Sequence, residues 1–409
     1  MFIHVTGGHE MGSLGYPIYD ADNHLYETQD CFTRHLDKAT AREAIAWVEV
    51  KGRTKLAVCG TITDYIPNPT FEIVATPGSL VPWHRGINPE GKTIREMFLS
   101  GALEPCRPEF KDRDRRLEVM DEQGLHAALI HGTLVNAIEQ RTKQRADLLH
   151  PTLHAYNQWM EEEWGFHHEE RIFAIPMVSL VDVQRGCEEL EWCLERGARG
   201  VAIRPAPVFG HPSPRSPGKP EFDPFWARVS EAGIFVDLHV TDSGYSDYCA
   251  DWDAGSETQP FTPSPFRNMV MRDRPIYDAL ANLIIDGVFH RHPRVRVVSI
   301  ENGSEWVQPL LRKLEKTYRQ LPKMFPEPPL ETLRRHLWVV PEYGEDIRWL
   351  ADTLGVEHVL FGSDFPHAEG YAVPLDWVEE LEKFNADETR QVMSSNLQSL
   401  LQAPQASTL

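Results

Sequence analysis

Short continuous apolar runs recur along the chain, and most are followed by a longer stretch whose apolar residues repeat at helical spacing. The runs fall at 18–22, 127–130, 172–178, 200–204, 234–239, 295–301, 337–340 and 358–364. Between them, Asp147 to Trp164 carries a stripe of Leu149, Leu153, Tyr156, Trp159 and Met160, which predicts an amphipathic helix. Leu117 and Met120 predict a helix ending near Gly124, Val183 to Arg196 one stopped by Gly197, and Phe225 to Ala232 one stopped by Gly233. Further helices are predicted over Ile276 to Asp286, Trp306 to Leu321, Ile347 to Leu354 and Pro374 to Phe384. Apolar strands alternating with helices bury both faces of a parallel sheet. About eight alternations favour an α/β fold closed as a (β/α)8 TIM-type barrel over an open sheet.

Two stretches break the rhythm. Residues 40–113 hold a candidate hairpin, Trp47 to Val50 with Lys55 to Val58 around Gly52. Pro67, Pro69, Pro77, Pro82, Pro89, Pro105 and Pro108 then argue against long regular elements. Residues 241–272 form a second insertion, directly after the fifth run. Both insertions are expected over the catalytic face, where loops vary without disturbing a barrel. The expected organisation is an arm at 1–17, a barrel at 18–387 and a tail at 388–409, with a short helix over Thr28 to Lys38.

With 61 acidic against 41 basic residues, the net charge of −20 disfavours nonspecific binding to nucleic acid. It leaves a small-molecule substrate, even an anionic one, open. No stretch approaches the ~18 apolar residues of a membrane span. Met1 to Gly15 lacks the pattern of a secretory leader, and the six cysteines contain no C-x-x-C pair. The expectation is a cytoplasmic protein with reduced thiols and no membrane partner. Homo-oligomer formation stays open.

In a barrel, catalytic groups sit at the C-terminal ends of strands. The first run ends in Asp22 and His24, which point to one side of an extended chain, with Asp20 on the same face and Glu27 within reach. The fourth run ends in Arg204, the fifth in His239, the sixth in Glu301, and the eighth in Asp364 followed by Phe365-Pro366-His367. A lone strand-end Asp is often a helix cap and a lone His a hydrogen-bonded structural residue. Several such residues at matching positions point to a metal site, because converging carboxylates repel unless a cation neutralises them. Asp22, His24, His239, Glu301, Asp364 and Glu27 are the candidate metal ligands, enough for one or two divalent ions. Asp364 and His367 are the candidate catalytic pair. Arg204 either binds a substrate carboxylate or phosphate bidentately or forms a salt bridge under the insertion.

Asp20-x-Asp22-x-His24-x-x-Glu27, the strand ending in His239, and Phe361-Gly362-Ser363-Asp364-Phe365-Pro366-His367 together resemble the amidohydrolase superfamily, in its amidohydrolase 2 branch. That branch includes nonoxidative decarboxylases and lactone or amide hydrolases. The resemblance implies that Asp22 and His24 stand where the family has H-x-H or E-x-H, and that His239 is the fifth-strand ligand. It implies that Asp364 ligates metal and accepts a proton from water. Glu301 departs from the His common at the end of strand six, and Arg204 stands where a bridging lysine would be. A more carboxylate-rich site moves preference from zinc towards iron or manganese. The ligand inventory also resembles a diiron hydroxylating group within the superfamily. The implied function is a metal-dependent hydrolase or decarboxylase acting on a small organic acid, amide or lactone. The alternatives are a nonheme diiron monooxygenase and a noncatalytic barrel, the retained Asp364 counting against the last.

Overall fold

The computed structural model describes residues 14–210, 212–252 and 264–402. Its centre is a ring of eight extended segments. The first strand, Tyr19–His24, pairs in parallel with the second, Ala127–His131, which pairs with the third, Ile172–Ala174. The fourth to seventh, Gly200–Ala202, Phe235–His239, Arg296–Ile300 and Leu337–Val339, form a parallel ladder in chain order. Single bridges join the two ladders. Met177 bridges Ala202, and Val178 N–H donates to the Ala202 carbonyl at 2.8 Å. Residues 359–365 close the ring as its eighth segment. Leu360 N–H donates to Val339 at 2.9 Å on one side, and Ala21 N–H donates to Phe361 at 2.8 Å on the other. The architecture is the expected (β/α)8-type barrel with helical insertions.

The third and eighth runs form less ladder than their apolar sequences suggest. Pro176 has no N–H to give, so the third segment is a strand only over Ile172–Ala174. In the eighth, Ser363 N–H is taken by the Asp20 carboxylate at 2.9 Å instead of a neighbouring carbonyl. Gly362 lets this segment lie against the first: a Cβ there would stand 2.7 Å from Asp22 Cβ and 2.6 Å from Val340 Cγ1.

The barrel helices begin and end where capping chemistry dictates. Asp112 caps Arg113–Gln123, which Gly124 ends at φ 74°. Asp182 caps Val183–Glu195, and Gly233 ends Asp223–Ala232 at φ 64°. The expected helix at Thr28 to Lys38 is replaced by turns, because Asp30 binds the Thr28 hydroxyl and the Arg34 side chain. A helix starts only at Lys38–Ala44, capped by Asp37. The segment expected as a helix over Pro374 to Phe384 is wound as 3-10 turns at Pro374–Leu381. Beyond it, Ala386–Arg390 and Asn396–Leu401 are helical. Asn396 Nδ2 ties the last helix to the carbonyls of Val356 and Val359, at 2.8 and 2.7 Å. Most of the expected arm, residues 1–13, and the end of the expected tail, 403–409, lie outside the described residues.

The first insertion holds the expected hairpin, Ile45–Val50 against Arg53–Val58, extended by Thr61–Thr63. Its later part sits on the loop after the eighth segment. Gly78 N–H donates to His367 at 3.2 Å and Leu80 N–H to Ala368 at 2.8 Å. The second insertion contributes Tyr245–Trp252 and Pro265–Met271; its residues 253–263 are outside the described set. Among the described residues, no helix is long and apolar enough to cross a membrane.

Candidate metal centre

The ends of the first, fifth, sixth and eighth segments deliver polar side chains to one point at the barrel mouth. His24 is at the centre, fully buried. Its Nε2 lies 3.2 Å from Asp22 Oδ1, 3.5 Å from Glu301 Oε2 and 3.5 Å from Asp364 Oδ1. His239 Nε2 lies 3.2 Å from Glu301 Oε2, 3.7 Å from Asp22 Oδ1 and 3.3 Å from His24 Nε2. Two groups of candidate ligand atoms result, each within 4.8 Å: Asp22, His24, His239 and Glu301; and His24, Glu301, Asp364 and His367. Exposure orders them. The Asp22 side chain is 3% exposed, while those of Asp364 and Glu301 keep 13% and 23% and face the mouth.

Local structure forces this convergence. Glu301 directly follows its strand and Asp364 lies near the end of the eighth segment, both in left-handed backbone, φ 57° and 56°, which non-glycine residues rarely adopt. Asp20 locks the first strand to the eighth segment: it accepts from the Ser363 hydroxyl at 2.5 Å, Asn23 Nδ2 at 3.0 Å and Asp22 N–H at 3.0 Å. Behind the strand, buried Arg116 holds the Asn23 side chain and donates to the His24 carbonyl at 2.8 Å.

The donor set fits a divalent cation. His239 Nδ1 lies 2.9 Å from the Val240 carbonyl, which can only accept, so Nδ1 carries a proton and Nε2 is the nitrogen turned towards the carboxylates. Burial opposes charge on His239, yet Asp22, Glu301 and Asp237 outweigh it and push the imidazole up to about 10. Burial raises Asp22 too, but the two imidazoles outweigh it and hold that carboxylate below its ordinary range. Burial, then Asp22, raises Glu301 against the opposing pull of His239. Asp364 is pushed well up by burial, Glu301 and Asp22, and His24 well down by burial and His367. A pocket that concentrates carboxylates until an imidazole must carry a proton is one where a metal ion supplies the missing positive charge. Asp22 Oδ1 and His24 Nδ1 are also buried without a hydrogen-bond partner.

The family model described as Amidohydrolase matches residues 106–396. The chain belongs to this amidohydrolase family. An amidohydrolase from Mycobacterium avium subsp. paratuberculosis K-10 is 40% identical, with 95% of this chain and 99% of that one covered and a TM-score of 0.88. A dihydroxybenzoic acid decarboxylase from Polaromonas sp. JS666, with bound manganese and the inhibitor 2-nitroresorcinol, is 17% identical, covering 81% of this chain and 95% of that one, at TM-score 0.55. Metarhizium anisopliae IDCase is 14% identical, covering 95% and 98%, at TM-score 0.59. The last two share the fold alone. No curated protein matches.

Two sequence candidates of this amidohydrolase lie apart from both ligand groups. Glu27 Oε1 accepts from Leu134 N–H at 2.8 Å, Val135 N–H at 3.3 Å and the Tyr156 hydroxyl at 3.4 Å. It thus serves the turn after the second strand rather than the ligand cluster, and burial pushes its carboxyl up to about 7. Arg204 donates to Gln140 Oε1 at 3.0 Å and the Pro207 carbonyl at 3.2 Å, stacks over Phe209 at 4.1 Å, and has Glu139 and Asp242 as its acidic neighbours. Sequence reasoning missed His131. Its ring packs 4.6 Å from that of His239, and its Nδ1 lies 3.3 Å from buried Asp237 Oδ2. The strand-end criterion that found His239 applies equally to His131, which ends the second strand. Tyr65, from the first insertion, was missed because no motif marks it; burial, Asp242 and Glu301 raise its hydroxyl pKa.

Proposed function

We propose that this amidohydrolase is a metal-dependent hydrolase or nonoxidative decarboxylase acting on a small organic acid, amide or lactone. The observation that carries the reading is His24 Nε2 lying within 3.5 Å of three carboxylates from three strand ends. Asp22, His24, His239, Glu301 and Asp364 would hold one or two divalent ions. Such an ion polarises a carbonyl or carboxyl oxygen and makes water more acidic. Asp364 is the proton-handling group, because it combines contact with the cluster and access to the mouth. In hydrolysis it takes the proton of the attacking water and returns it to the leaving nitrogen or oxygen as the acyl bond breaks. In decarboxylation the C–C bond breaks, its electron pair stays on the substrate carbon, and the acid supplies the proton that replaces carbon dioxide. His367, with Nδ1 2.7 Å from Asp364 Oδ1, fixes the orientation of that carboxyl group. Arg204 is proposed as a substrate-side cation for a carboxylate.

The presence of Glu301 where the family has His favours a second reading, nonheme diiron oxygenation, since it supplies a third carboxylate. Protein purified without oxygen and assayed for metal, with optical spectra before and after oxygen, separates the two. Under the leading reading, a panel of aromatic acids, amides and lactones yields turnover without oxygen uptake. Asp364→Asn then lowers kcat by roughly 10²–10⁴-fold. Turnover only with oxygen and reductant would replace this reading with the second.

A further inference from the structure

The loop after the eighth segment brings His367 back over His24, with ring centroids 4.0 Å apart. Hydrogen bonding fixes its proton. The Thr133 hydroxyl donates to the Leu25 carbonyl at 3.0 Å, so its oxygen is left to accept from His367 Nε2, 3.3 Å away. With the proton on Nε2, the neutral ring turns the Nδ1 lone pair towards Asp364 Oδ1 at 2.7 Å. A lone pair and a carboxylate oxygen at that distance repel unless positive charge lies between them. Glu301 and His24 also present ligand atoms to the same point, all within 4.8 Å.

We propose that His367 is a metal ligand, forming with Asp364 and Glu301 the seat of a second divalent ion. This rests on the metal-dependent reading above and assigns a residue that reading used only to orient Asp364. The partition follows from ligand valence. His24 Nε2 has one lone pair and serves one ion; Asp22 is its shortest contact, which places it with Asp22 and His239. A carboxylate has two oxygens, so Glu301, common to both groups, would be available to either ion. Thr133 then acts as an orienting partner, holding the His367 ring so that Nδ1 faces inward, as groups behind metal-ligating histidines do. Two divalent ions bring four positive charges against the three carboxylates Asp22, Glu301 and Asp364, leaving the centre able to accept an anionic substrate group.

The rival is a proton shared between His367 and Asp364, which would make them an acid–base pair beside a single ion. Calorimetric titration of Mn²⁺ into the metal-free full-length protein, with metal analysis of the product, separates these. The proposal expects two equivalents in the wild type and one in His367→Ala. Thr133→Val, close in shape and less disruptive to the fold, should keep both equivalents while weakening the second roughly 10–100-fold. One equivalent in the wild type, or two of unchanged affinity in both variants, overturns the proposal and leaves the metal-dependent reading standing. No binding in the wild type overturns both. Circular dichroism and thermal melts of each variant establish that lost binding is not lost folding. If His367→Ala fails to fold, Thr133→Val decides: second-site affinity equal to wild type overturns the proposal.

Discussion

Glu301, one step beyond its strand, and Asp364, near the end of the eighth segment, stand in a backbone region that costs a side-chain-bearing residue about 1–2 kcal/mol. The left-handed step turns both carboxylates back over the mouth, where His24 Nε2 meets them. Glu27 shows the opposite outcome at the same barrel end, because the amides of Leu134 and Val135 claim its Oε1. Burial, partly offset by those amides, lifts the Glu27 carboxyl to about 7 from an ordinary 4.5. The folded chain therefore holds a proton in a range where the unfolded chain has lost it. The contribution of Glu27 should be nil below about pH 4.5 and should lower stability as pH rises towards about 7, by ~3 kcal/mol for this group. Glu27→Gln keeps an oxygen for the two amides and removes the charge. Urea midpoints of the variant should decline less across that window than those of the wild type, since buried Asp20, raised to about 6, still titrates there, with metal content unchanged. A loss of metal in Glu27→Gln would return Glu27 to the ligand set.

The decisive element is the seam between the first strand and the eighth segment. Asp20, Ser363 and Gly362 bring Asp22 and Asp364 to the same side of it, and Asp364 N–H donates to the Asp22 carbonyl at 2.7 Å. Gly362→Ala would press a methyl group against Asp22 Cβ and Val340 Cγ1. The expected result is a loss of about 1–3 kcal/mol in denaturant unfolding and weaker metal binding, because the seam must open. Retained stability with retained metal affinity would show that the seam adapts. Arg116 performs the same alignment from behind. It is fully buried, sits over the Phe365 ring at 5.4 Å, and donates to backbone carbonyls on two segments, Glu109 and His24.

At the scale of the whole molecule, the metal centre joins elements far apart in sequence, so loading it should stabilise the entire barrel. An ion present at 1,000 times its dissociation constant adds about 4 kcal/mol to unfolding. Chelation should therefore lower the melting temperature, and added Mn²⁺ or Fe²⁺ should restore it. A melting temperature indifferent to chelator would mean that the carboxylates tolerate one another without an ion. The first insertion is fastened to the same region: Arg85 donates to the Tyr371 hydroxyl at 3.0 Å and pairs with Glu380. The Arg85–Tyr371 hydrogen bond thus joins segments nearly three hundred residues apart in sequence.

By itself the sequence determined the alternation of strands and helices, hence the barrel, and the strand ends that must carry its chemistry. Asp22, His24, His239, Glu301 and Asp364 were legible because strand-end position alone sends those side chains to the mouth. Their direction beyond that was not legible. Whether Glu27 meets a metal or two amide groups depends on the turn after a strand some hundred residues later. Whether the Nδ1 of His367 is bare depends on Thr133, and whether Arg204 is free for substrate depends on Gln140 and Phe209. Asp237 and His131 lie about a hundred residues apart in sequence, and only the closed ring sets them against each other. Periodicity fixes which face of an element a residue occupies. The partner that takes its last hydrogen bond comes from another part of the chain, and only tertiary structure decides it.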